Sequence, residues 1–165
     1  MTQVAAAAGL ARPTLYLHFD TKVALLIACI DYALSDTPVR ERPDYQAMAQ
    51  GTTARRAVTA ARWLREAYQR SAPIQRILDD AASSGPEAAQ AHARMEQRRH
   101  DEFARACSLV LADPSPPAPF VDEIWALGSR MMWFKLAERG WSPQDWEAWF
   151  TRVIIDAIKA LQRRT

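Results

Sequence analysis

Three groups of residues in this 165-residue sequence have types and spacings that could do chemistry. One is the run Arg12-Pro13-Thr14, with Tyr16, His18 and Lys22 close behind. A second is His92, Glu96 and His100, at four-residue steps that would bring all three to one helix face and could hold a metal. Their neighbours Arg94, Arg98, Arg99, Asp101 and Glu102 instead describe a solvated charged face, so no metal is expected. The third is the pair Cys29 and Cys107, which offers no C-x-x-C spacing and no disulfide framework. Both fall in apolar-periodic stretches and read as small buried hydrophobes. There is no nucleophile with a base at local spacing and no Gly-rich phosphate loop, so the expectation is a protein without cofactor that is not an enzyme.

The first group is positioned by the opening stretch. Val4, Ala5 and Ala8 make a small apolar face, and Gly9 can take the positive φ that ends a short helix. Leu10 is expected to plug the corner, and Pro13 suits the first turn of a new helix, where its missing N–H costs nothing. Leu15 and Phe19, four apart, face inward; with Val4 and Leu25 they are expected core. Thr14 and Tyr16 point elsewhere, with Arg12 and His18 at either end. Helix, tight glycine turn and short helix make a helix-turn-helix, whose second helix enters the DNA major groove by its N-terminal residues. The next helix opens at "DTKVALL", capped by Thr21 or Asp20, and its free N–H groups suit an anion such as a DNA phosphate. Lys22 in that first turn runs against the helix dipole, which makes better sense beside a phosphate than in water.

The run Ala8-Gly9-Leu10, then Arg12-Pro13-Thr14-Leu15-Tyr16-Leu17-His18-Phe19, then Lys22 and Leu25-Leu26, resembles the TetR family of bacterial transcriptional regulators. The resemblance implies that Arg12, Pro13 and Thr14 face base edges, that Tyr16, His18 and Lys22 grip the DNA backbone, and that Thr2 stands near a phosphate. A guanidinium can bond O6 and N7 of guanine together, which makes Arg12 the candidate for specificity, while Thr14 could offer its methyl to a thymine. The family usually carries serine or threonine where this chain has Ala11, so the reading helix is expected to have a weaker N-cap. Family members also begin with a further long helix, whereas Met1 falls at the start of the second; the expectation is a true start upstream. Within residues 1–34, Arg12 and Lys22 face Asp20 and Asp31, and such a neutral head would hold DNA weakly. The alternative is therefore a dimerising small-molecule-binding module that no longer binds DNA.

Stretches of three- and four-residue apolar periodicity, rich in helix-forming residues, predict an all-α chain. Helices are expected over about 2–8, 12–19, 21–34, 44–71, 73–83, 86–112, 119–139 and 143–163. The division is a helix-turn-helix DNA-binding module at 1–34 and a larger helical ligand-binding and dimerisation domain at 35–165, parted near Ser35 to Pro43. The hydrophobic fraction of 49% is ample for a core, and a net charge of +2 does not by itself announce a nucleic-acid binder. Nothing approaches the apolar length of a membrane span, and no secretory leader is evident, so a soluble cytoplasmic protein without membrane contact is expected.

The last two expected helices carry more apolar surface than one core needs. In 143–163, Trp146, Trp149, Phe150, Val153, Ile154, Ala157, Ile158 and Leu161 form one broad stripe. In 119–139, Phe120, Ile124, Leu127, Met131 and Phe134 form one stripe, and Val121, Trp125, Gly128 and Met132 another. The resemblance implies pairing of these helices with their copies in a homodimer, with Gly128 letting backbones approach, so that two reading helices address a palindromic double-stranded DNA operator. Trp63, Tyr68, Met95, Phe103, Trp125, Met132 and Trp133 are candidates to line a cavity for a small apolar or aromatic effector, although residues of these types are often plain core. A ligand-responsive repressor is the function this implies.

Overall fold

The computed structural model describes residues 1–34 and 41–163, and in these the regular structure is helical. The short α1 (Thr2–Ala7), α2 (Arg12–His18) and α3 (Lys22–Leu34) come first. After them, α4 (Pro43–Gln46) runs into a 3-10 turn at Ala47–Ala49, followed by α5 (Thr53–Ala81) and α6 (Pro86–Leu111). The chain closes with α7 (Ala118–Leu127), α8 (Arg130–Glu138) and α9 (Pro143–Gln162). The expected parting of the two domains begins at Ser35, and Ser35 to Arg40 lie outside the described residues. No described helix is long and apolar enough to cross a membrane.

Local chemistry explains where the helices differ from the sequence expectation. The expected helix 44–71 is broken at Gly51, whose φ of +79° suits a residue without Cβ, and Thr52 then caps α5 by accepting from the Arg55 amide at 3.3 Å. A boundary was expected near Pro73, yet α5 continues through it to Ala81. Proline removes one helical hydrogen bond and costs about 3 kcal/mol in a helix interior. Here Ala72, Gln75 and Leu78 are buried on either side, and that packing outweighs the loss. The expected helix 119–139 is two helices. The Gly128 carbonyl is taken by the Tyr68 hydroxyl at 2.5 Å, and Ser129 caps α8 by accepting from the Met132 amide at 3.4 Å. The last helix starts with a capping box: Ser142 Oγ accepts from the Asp145 amide at 3.1 Å, and the Asp145 carboxylate accepts from the Ser142 amide at 2.9 Å.

The main core lies among α5, α6, α7 and α9. Trp146, Phe150, Tyr68 and Trp133 form an aromatic nest with ring centroids 4.9–5.8 Å apart. A second, smaller core ties α3 to α5 and α6 through Ile30, Leu78 and Ala91, with Val23, Leu26, Ile27 and Leu34 packed around them. The inward stripe of α3 leaves Cys29 on the opposite side, so Cys29 is exposed rather than buried; Cys107 is buried as expected. Val4 and Leu10 also depart from expectation. Each is nearly half exposed, because the two-turn α1 packs chiefly on α2 and buries only Ala5. Leu15 is buried, and Phe19 and Leu25 are half-buried.

The chain's own core takes much of the apolar surface assigned by sequence to a dimer. Phe120, Ile124, Ile154, Ala157 and Ile158 are buried inside the chain, because α9 lies along α5 with α7 across it. Gly128 is buried too. A Cβ there would come within 2.7 Å of the Phe150 ring and 2.8 Å of the Phe103 ring, so its small size serves internal packing and not an approach of two subunits. Gly128→Ala should therefore destabilise the fold by about 1–3 kcal/mol through overpacking. Thermal denaturation followed by circular dichroism checks this, with a lowered Tm expected.

Candidate DNA-reading face and ligand cavity

Gly9 takes φ +66° between α1 and α2, the left-handed turn that lets a second short helix follow the first. Ala11 precedes α2 without a side-chain cap, as its methyl dictates, and Pro13 sits in the first turn. Thr2, Arg12, Pro13, Tyr16, His18 and Lys22 are all exposed, and Thr14 is half-buried. Leu15 is the inward anchor of this helix. The Arg12 guanidinium lies over the Tyr16 ring, 5.4 Å from its centroid, so a base-edge candidate and a backbone candidate share one surface. Of the two possible caps for α3, Thr21 makes the bond, accepting from the Ala24 amide at 3.0 Å. Its hydroxyl also donates to Glu87 of α6 at 2.5 Å, next to Lys22.

A cavity of about 290 Å³ opens within the helical body. One part of its wall is apolar, formed by Met48, Ala60, Trp63, Cys107, Val110 and Phe120. Polar groups enter the wall from Gln75 of α5, Arg98 and Arg99 of α6 and Asp31 of α3, with Glu102 of α6 also in the lining. Burial pushes the Cys107 thiol up to about 12, which keeps it a neutral wall group. Of the residues proposed from sequence, Trp63, Tyr68, Met95 and Phe103 line this space and Trp125, Met132 and Trp133 do not. Trp125 is instead covered by the Arg99 guanidinium at 4.7 Å, and Trp133 packs edge-on against Tyr68 and Trp146. Met132 sits half-buried on α8.

Beneath the polar wall groups runs a buried ionic network that local sequence patterns did not reveal. Arg130 on α8 holds both oxygens of Asp79, at 3.0 and 2.6 Å, and reaches Gln75 at 2.9 Å and Glu96 at 2.7 Å. The other Glu96 oxygen accepts two bonds from Arg99, at 3.1 and 3.0 Å. Asp79, His92 and Glu96 lie close enough together to suggest a metal cluster, but the Arg130 cation already holds both carboxylates. His100 turns away to Asp122 at 2.9 Å, so the His92, Glu96 and His100 set does not converge. The charged face read from sequence around Glu96 is only partly solvated, since the Glu96 and Arg99 side chains are 24% and 13% exposed in this network. The network's decisive partners sit far along the chain.

The interface candidates divide by exposure. Met131 is 68% exposed, whereas Leu127, Trp149, Val153 and Leu161 are half-buried. A shallow groove between α7 and α9 is lined by Leu127, Trp149 and Val153, flanked by Glu123, Arg152 and Asp156.

The described residues form a helix-turn-helix opening onto a helical body. Residues 1–29 match the family model described as bacterial regulatory proteins, tetR family. No curated protein and no solved structure matches the chain.

The network carries a pH signature. Burial alone would raise the Glu96 carboxyl, but hydrogen bonds and charge from Arg99 and Arg130 outweigh it and hold the group below its ordinary value of 4.5. A depressed carboxyl contributes stability that is complete above the unfolded value and is lost as pH falls through the folded one. Glu96→Gln should therefore lower Tm at neutral pH and flatten its fall below about pH 4.5. A series of Tm values from neutral to acid pH reads both effects.

Proposed function

We propose that this protein is a TetR-family regulator, a ligand-responsive repressor that binds a palindromic DNA operator as a homodimer in the cytoplasm. The observation that carries the reading is the position of α3. Its first turn holds Lys22 beside the reading helix, and its last turn holds Asp31 and Leu34 in the cavity wall. A small apolar effector in the cavity therefore touches the helix that also carries a DNA-backbone residue. Coupling requires that the effector prefer one placement of α3, since equal affinity for both states shifts nothing.

Arg12, Pro13 and Thr14 are assigned to base edges, and Thr2, Tyr16, His18 and Lys22 to the DNA backbone. The exposure of all of these but the half-buried Thr14, within residues 2–22, supports this. The domain division at 1–34 and 35–165 follows function, although α3 is packed on α5 and α6. For the dimer we assign the groove of Leu127, Trp149 and Val153, extended by Met131 and Leu161. Glu123 and Asp156 beside Arg152 offer charges of both signs, which a two-fold axis can pair.

Three experiments test the reading. Selection of bound duplexes from a random library should return a palindrome. Tyr16→Ala and Lys22→Ala should weaken binding to every sequence and reduce the salt slope, by about one for Lys22, whereas Arg12→Ala should relax preference at one base position by about 1–3 kcal/mol. Comigration of the protein with no duplex even at low salt would favour a dimerising ligand-binding module, a reading consistent with the balance of Arg12 and Lys22 against Asp20 and Asp31. Val153→Glu should shift sedimentation from dimer to monomer while leaving the helical content intact. A dimer that survives this change places the interface elsewhere.

A further inference from the structure

The effector reading leaves the chemistry of the effector open, and the cavity wall narrows it. A space of about 290 Å³ is roughly twice the ~150 Å³ that accepts one benzene ring, so the occupant is the size of two fused rings. The apolar part of the wall, with Trp63, Val110 and Phe120, offers no charge to such a body. The charged wall groups are each already matched within the chain. Arg98 bonds Asp31 at 2.7 Å, Arg99 bonds Glu96 at 3.0 Å, and Glu102 pairs with Arg105. Two cations and two anions thus face the space, and no charge is left over for a ligand to neutralise.

The remaining polar wall groups are uncharged: the Gln75 amide, the Tyr68 hydroxyl, which donates to the Gly128 carbonyl, and the buried Trp63 indole N–H. Gln75 accepts from Arg130 at 2.9 Å and donates to Ser71 at 2.7 Å, which fixes its orientation in the wall. A carboxylate entering here would lose its water without gaining an unmatched cation, whereas a hydroxyl or carbonyl would keep hydrogen bonds from groups whose charge is already balanced. Arg98 and Asp31 are each about half exposed, so this part of the wall is also where the space meets solvent.

We infer that the cavity takes an uncharged amphiphile of about two fused rings, its apolar body against Trp63 and Phe120 and a single hydroxyl or carbonyl group at the wall formed by Gln75, Arg98 and Asp31. This rests on the effector reading above and names the class of molecule that reading requires. The polar group of the ligand then lies against the Arg98–Asp31 pair, which is the link between the cavity and the last turn of α3.

The test is calorimetric titration of the full chain with 2-naphthol, uncharged at pH 7, and with 2-naphthoate, its anionic counterpart. The expected result is measurable binding of 2-naphthol and binding of 2-naphthoate weaker by about tenfold or more. Ala106→Leu, which fills the wall from α6, should weaken 2-naphthol by a similar factor, and Ala60→Val should do the same from α5. Circular dichroism confirms that each variant is folded. Equal or tighter binding of 2-naphthoate, binding of neither probe, or 2-naphthol binding untouched by both folded variants would each overturn the inference. Binding to a random-sequence duplex at low salt, measured in parallel, reports on the regulator reading separately: intact DNA binding with no probe bound sinks only the ligand class, and the converse sinks only the regulator.

Discussion

The Arg130 guanidinium is the point on which the body of this protein turns. It is buried between α5, α6 and α8, and three acceptors from two of those helices surround it: Asp79, Gln75 and Glu96. Stripping a guanidinium of water costs several kcal/mol, and only close, well-directed acceptors offset that. Here the fork geometry of arginine is used fully, with Nε and Nη2 on the two oxygens of one carboxylate. A buried ion pair of this kind adds little net stability over an apolar equivalent, but breaking it is severe, so it fixes the register of the three helices more than it strengthens them.

The consequences reach the cavity. Gln75 and Arg99, both in its wall, are oriented from behind by Arg130 and Glu96. Arg99 extends the network to α7, donating to the Trp125 carbonyl at 3.1 Å and lying over the Trp125 and Phe103 rings. The polar part of the cavity wall is therefore rigid on the α5, α6 and α8 side. On the α3 side it is closed by the Arg98–Asp31 pair, which is half exposed and correspondingly weak. A cavity with one stiff wall and one lightly held wall yields at the lightly held one.

That lightly held wall is the element shared by both ends of the molecule. α3 is anchored by Ile30, which is fully buried, and is linked to α6 by Thr21–Glu87 at its start and Asp31–Arg98 near its end. The two links are separated by about ten residues, or ~15 Å of helix. They keep α3 and α6 running side by side, so a displacement at Asp31 is felt at Lys22 through a rigid rod and not through a flexible linker. On the proposed reading this is the physical route from effector to operator.

The helix-turn-helix was legible in the sequence because its signals are local. Gly9 demands a positive φ, Pro13 a first turn, and Leu15 an inward face, and each acts within a few residues of its own position. The all-α class and the ends of α6 follow in the same way from short-range propensity. What depended on distant partners was not legible. Whether α5 stops at Pro73 is decided by the burial of Ala72 and Leu78, and whether Gly128 faces a second subunit is decided by where Phe103 and Phe150 happen to lie. The apolar stripe of α9 shows the limit most clearly. Sequence could count Trp146, Phe150, Ile154 and Ile158 together with Trp149 and Val153, but only packing against α5 divides the buried members from those left at the surface. Periodicity records that a face is apolar. Which neighbour covers it is a property of the assembled helices, because burial is set by atoms that lie far away in the chain.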